Sequence, residues 1–172
     1  MTDPLGLALR VVHIFCGVFW AGAALMIGGF IEPVVKAMGA DGGKFMQRFM
    51  GERRFGFYMT TAAWLVVLSG IAMFVRGSGG QLGSWFATGY GHTIVTGSVA
   101  GILALVTGLS VNAPTAARMA GLARAMQAAG GPPKPEQLAE VARLQHRLHT
   151  GGLISATLLT ISVLCMAAAR ML

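Results

Sequence analysis

The chain is poor in charge. Only 11% of its 172 residues are Asp, Glu, Lys or Arg, against about 25% in soluble domains, so a water-facing surface over most of the molecule is excluded. Acid is scarcest, with six Asp and Glu against thirteen Lys and Arg. Paired carboxylates, a nucleophile triad and a phosphate-binding glycine loop are all missing, which leaves hydrolase chemistry without support. Two cysteines are too few for a disulfide framework. There is no evident repeat or low-complexity tract.

Apolar residues fill the gap, at 55% of the chain with a mean hydropathy of +0.67. A membrane span needs roughly 20 of them in succession. Four segments qualify: Val11 to Ile31, Phe57 to Val75, Ile94 to Val111 and Leu153 to Ala169. The third and fourth are rich in Gly, Ser and Thr, as expected where helices approach closely. The fold class expected is all-α, a transmembrane four-helix bundle forming one integral membrane domain over residues 1–172.

A net charge of +7 is compatible with nucleic acid as a partner, but its placement points to a membrane. Lys36, Lys44, Arg48, Arg53 and Arg54 lie between spans one and two, and Arg118, Arg124, Lys134, Arg143 and Arg147 between spans three and four. Only Arg10, Arg76 and Arg170 fall elsewhere. By the positive-inside rule both termini face outward, to the periplasmic side of a bacterial-type inner membrane, and loops one and three face the cytoplasm. A cleaved signal is not expected, because the first span is long and only Arg10 precedes it, after an acidic Asp3.

Prolines mark expected breaks after spans one and three, at Glu32-Pro33 and at Asn112-Ala113-Pro114. Phe45, Met46, Phe49 and Met50 among the basic residues of loop one predict an interfacial amphipathic helix. Loop two, glycine-rich with Trp85, Phe86 and Tyr90, predicts a short helix or turn in the interfacial aromatic belt. In loop three, helical composition over Thr115 to Ala129, then Gly130-Gly131-Pro132-Pro133, predicts a cytoplasmic helical hairpin. Its second helix begins near Pro135-Glu136 and runs into span four, and its basic face suits an anionic lipid surface.

Two histidines carry the functional reading. His13 and His92 stand near the starts of spans one and three, which run in the same direction, so both lie near the outer face at similar depth. An ionisable group in a membrane span is a functional-site hypothesis by default, and imidazoles on two helices of a bundle suit a haem b iron. Arg10, one turn before His13, Arg76 and Arg170 ring that mouth and would pair with the propionates. Gly17, Gly91, Thr96 and Gly97 leave room for a macrocycle.

Copper is the alternative occupant. Cys16 follows His13 by three positions, and Met73, Cys165 and Met166 fall on the same side; soft sulfur ligands favour Cu(I). Against this, no Met-x-x-Met or Cys-x-x-Cys cluster occurs. On the cytoplasmic side, His146 and His149 share a helical face and could relay protons, bind metal, or line a quinone pocket with Glu32 and Arg53 or Arg54.

Span one reads Val12-His13-Ile14 and then Trp20-Ala21-Gly22, a His-x6-Trp-x-Gly pattern. It resembles the first helix of the copper resistance D-like family of small integral membrane proteins. It is also similar to that of the HemJ-type membrane protoporphyrinogen oxidases, whose tryptophan-to-glycine spacing is one residue longer. The resemblance implies a cytochrome b-like bundle with His13 as haem ligand and a further functional group on the third helix, here His92. Span three holds no basic residue, which protoporphyrinogen oxidation would call for. The resulting expectation is a haem b electron-transfer protein, possible as a membrane oxidoreductase, working between quinol or a redox partner protein and an acceptor on the outer side. Copper transport or delivery, or a non-catalytic subunit of a larger membrane complex or homo-oligomer, are the other readings.

Overall fold

Helix length and polarity organise the molecule. A computed structural model describes residues 3–52 and 54–171, apart from the side chains of Ala40, Glu52, Leu82 and Arg170. Four helices are long and apolar enough to cross a membrane: α1 (Pro4–Ala37), α3 (Phe55–Ser78), α5 (Gly89–Ala129) and α6 (Pro135–Ala168). Two short ones join them, α2 (Ala40–Gln47) in loop one and α4 (Leu82–Phe86) in loop two. No strand occurs among the described residues. The all-α, multi-pass membrane architecture expected from composition is therefore present, as are both loop helices and the hairpin that leads into span four.

The proline breaks are not. α1 and α5 run through Pro33 and Pro114 without interruption. Each proline lacks an N–H and would push its ring against the carbonyl four residues back. The strain is relieved by a π-turn two residues ahead, Ile27–Ile31 before Pro33 and Gly108–Asn112 before Pro114. There the amides of Glu32 and Ala113 reach back five residues, to Ile27 and Gly108. A wider turn thus absorbs each proline where a break was expected.

Packing divides the chain into two hairpins. α1 lies along α3, and α5 lies along α6; α1–α6 and α3–α5 contacts close the bundle more thinly. α1 and α5 are diagonal, with little or no direct contact. The hairpins also share a pattern that composition alone did not disclose. His13-x7-Ala21-Gly22 in α1 matches His92-x7-Ala100-Gly101 in α5, and each is followed by a π-turn and a proline. Ala21 and Ala100 are both buried.

The core is built from small side chains. Ala62, Ala63 and Ala104 join Cys16, Trp20, Ala21, Leu105 and Leu159 in it, while Phe15, Val18, Phe30 and Leu164 are exposed. Lipid is as apolar as leucine, so helix contact in a membrane rewards close backbone approach and leaves large side chains to face the acyl chains. At Gly97 an added Cβ would stand 2.9 Å from Cys165 Cβ and 3.2 Å from the Ser162 carbonyl. That glycine sets the α5–α6 spacing.

Candidate functional site

The end holding the termini is fixed by polar ties between antiparallel neighbours. Asp3 caps α1 by accepting from the Gly6 amide at 3.1 Å, and its other oxygen takes Arg76 Nη2 at 2.6 Å. The Gly6 amide first, and then the Arg76 guanidinium, hold the Asp3 carboxyl below its usual range. This brings the start of α1 to the end of α3. Beside it, the α4 ring of Trp85 packs edge-on against Phe74 of α3 at 4.9 Å and against Tyr90 of α5 at 5.8 Å.

His13 stands ten residues past the Asp3 cap and turns toward α3. Its Nδ1 lies 2.9 Å from the Val66 carbonyl and 3.2 Å from Ser69 Oγ. A carbonyl can only accept, so Nδ1 carries the hydrogen, and in the neutral form of the ring the free lone pair is then on Nε2. Ser69 gives its own hydrogen to backbone, with Leu65 O at 2.5 Å, which leaves its lone pairs for the imidazole. Gly70 provides the space: a Cβ there would sit 3.0 Å from His13 Cε1. Val66, Ser69 and Gly70 were not singled out in the sequence. The available signal was a Ser-Gly step in the outer half of the second span, six to seven residues before Arg76.

His92 lies at the same end, four residues past the Thr88 cap of α5. It is exposed and its ring makes no hydrogen bond among the described residues. The Phe74–Trp85–Tyr90 contacts level Tyr90 with Phe74, whereas His13 is level with Val66 to Gly70. His92 therefore stands nearer the mouth, staggered from His13 by about one helical turn, ~5 Å.

The flanking arginines differ. Arg10 is exposed, Arg76 is engaged by Asp3, and the Arg170 side chain lies outside the described residues. Both cysteines are free thiols. Cys16 is buried in the α1 core cluster with Trp20 and Ala21, and Cys165 faces Gly97 of α5. Among the described residues, no three His, Cys, Asp or Glu side chains converge in a way that could hold a metal ion by themselves.

At the opposite, basic end, His149 Nδ1 meets Glu32 Oε1 at 2.7 Å, and Lys36 Nζ reaches the same oxygen at 2.9 Å. This joins α6 to α1 just past the first π-turn. His146 is exposed, and Arg53 lies outside the described residues. Nearby, Asn112 Nδ2 donates to Ser155 Oγ at 3.1 Å, leaving its buried Oδ1 without a protein partner. About 28 Å of helix separates Glu32 from His13, so these groups do not form one site.

No family model, curated protein or solved structure matches the chain.

Proposed function

We propose that the protein is a membrane b-type cytochrome. One haem b is held by His13 and His92 at the end carrying the termini, and electrons pass between quinol or a partner protein and an acceptor on that side. The charge bias of the loops favours the periplasmic face of a bacterial-type inner membrane for that end. The observation that carries the reading is the Nδ1 hydrogen bond from His13 to the Val66 carbonyl. A metal-bound histidine almost always donates its other ring N–H to a carbonyl or carboxylate, which fixes the tautomer and aims the ligating nitrogen.

Three further features support the reading. Haem needs only two side chains from the protein, and His13 and His92 stand at the same end of the bundle on α1 and α5. Helices in direct contact are 8–10 Å apart, too close to admit a macrocycle between them; α1 and α5, which barely touch, are the pair suited to supply ligands from opposite sides. The His-x6-Trp-x-Gly likeness of span one supports His13 as a ligand without choosing between haem and copper. When bound, haem supplies a ferric–ferrous couple. The chain's own residues do the rest. Val66 and Ser69 orient His13, and Gly70 lets its ring lie against α3. Trp85 and Tyr90 cover the mouth, and Arg10 offers a cation to a propionate.

Haem and copper are measured per chain in protein purified from cells supplied with both. One haem b per chain is expected. Stoichiometric copper without haem would replace the reading with copper delivery, and absence of both would replace it with an accessory subunit.

A further inference from the structure

At the basic end a cleft of about 660 Å³ opens between loop one and loop three, lined by Lys44, Gln47, Arg48, Gly51 and Gln127. The two loops are tied across it by the Gln127 Nε2 to Gln47 Oε1 hydrogen bond of 3.1 Å. Two cations and two carboxamides in one cleft suit a phosphate ester, because ammonium, guanidinium and amide N–H groups all donate. Lys44 is at present held by Asp41 at 2.8 Å in a pair exposed on both sides, an arrangement that an anion can replace at little cost.

A second feature adjoins the cleft. Phe45 stacks on Phe49 at 5.9 Å, Phe49 meets Phe55 at 4.6 Å, and Phe55 meets Phe19 at 6.4 Å. The four rings form a ladder from α2, beside the cleft, to α1 within the membrane span. Phe45 and Phe19 are exposed at 43% and 39%, so the ladder presents an open apolar wall. A cleft carrying two cations, with exposed phenylalanine rings beginning at the residue next to Lys44, matches the chemistry of an amphiphile. A free phosphate would use only the first half.

We propose that this cleft binds the headgroup of an anionic glycerophospholipid, with its acyl chains lying along the Phe45–Phe49–Phe55–Phe19 ladder. The lipid would bridge loop one and loop three and so clasp the two hairpins at the basic end. Cationic pockets between membrane helices are a known way of selecting anionic headgroups, at about 1 kcal/mol per Lys or Arg. That corresponds to roughly fivefold in affinity for each cation.

The test titrates phosphatidylglycerol into the full-length protein held in phosphatidylcholine bicelles, counting retained lipid by native mass spectrometry. Lys44→Gln combined with Arg48→Gln is expected to weaken retention by roughly ten- to thirtyfold, and Phe45→Ala to weaken it severalfold. Arg143→Gln, which removes a surface pair with Glu140, should leave it unchanged. Glycerol 3-phosphate at matched concentration should not displace the lipid. Unchanged retention in the double variant, equal retention of phosphatidylcholine, or full displacement by glycerol 3-phosphate would each overturn the proposal.

Discussion

In the first hairpin, His13 is tied by Nδ1 to the Val66 carbonyl and Ser69, with Gly70 opened to receive its ring. In the second hairpin, His92 occupies the same place in the shared His-x7-Ala-Gly pattern, yet it is exposed and its ring is unbonded among the described residues. The partner helices explain the contrast. α3 offers a Ser-Gly step opposite its histidine, whereas the α6 residues Cys165, Ser162 and Met166 meet α5 at Gly97, five residues past His92. A histidine on a membrane helix is therefore specified by what the neighbouring helix brings to its level, and the same motif yields one oriented imidazole and one open imidazole. On the proposed reading α3 would hold His13 in place, and His92 would supply the second nitrogen to haem b.

The contrast can be broken most forcefully in the second hairpin. Gly97→Leu would drive a side chain into Cys165 and the Ser162 backbone, and it should cost about 1–3 kcal/mol of bundle stability through overpacking. Thermal unfolding in detergent would read the loss; an unchanged midpoint would mean that α5 and α6 do not approach as closely as described. In the first hairpin, Ser69→Ala removes a hydroxyl that supports His13 without emptying the core. About tenfold weaker haem retention is expected, measured by transfer to apomyoglobin, and retention equal to the parent would leave Ser69 with no part in holding the ring.

A smaller effect belongs to the basic end of the second hairpin. Ser155→Ala leaves Asn112 Nδ2 with only the distant Gly151 carbonyl at 3.5 Å, and about 0.6 kcal/mol should be lost, as for a typical interhelical hydrogen bond in a membrane. The smallest concerns the mouth of the first. The Asp3 carboxyl is held below its usual range by the Gly6 amide and then by Arg76. A carboxyl depressed in the folded state stabilises above its unfolded pKa of about 4, and that contribution is lost as pH falls through the folded value. Protection of the Gly6 amide against hydrogen exchange, relative to its intrinsic rate, should therefore fall below about pH 4, and Asp3→Asn should flatten the dependence. Equal pH dependence in parent and variant would detach the cap from Asp3.

Four helices, their up-and-down order and the side shared by His13 and His92 were legible in the sequence, because apolar run length and charge placement fix them with no knowledge of packing. The continuity of α1 and α5 through Pro33 and Pro114 was not legible. A proline signals a lost hydrogen bond, and it does not say whether a break or a π-turn will absorb the loss. The level of each histidine was legible only to about a turn, since the extra turns from Pro4 to Arg10 precede the first apolar run. The tie from His13 to Val66 was hidden for a further reason: its acceptor is a backbone carbonyl, which every residue carries. Cys16 and Cys165 share an end of the bundle by sequence position, but their directions, one into the α1 core cluster and one onto Gly97, depend on which helices pair. The internal pattern in α1 and α5 is short, and it gains meaning from the π-turn and proline that follow it in both.

Absorption spectra of the parent protein, His13→Ala and His92→Ala, each oxidised and then reduced with dithionite, test the central claim most directly. The account predicts a Soret band with sharp reduced alpha and beta bands in the parent, loss of the haem in His13→Ala, and loss or a shift to a high-spin spectrum in His92→Ala. A colourless parent from haem-replete cells, or a parent spectrum preserved in both variants, would contradict it.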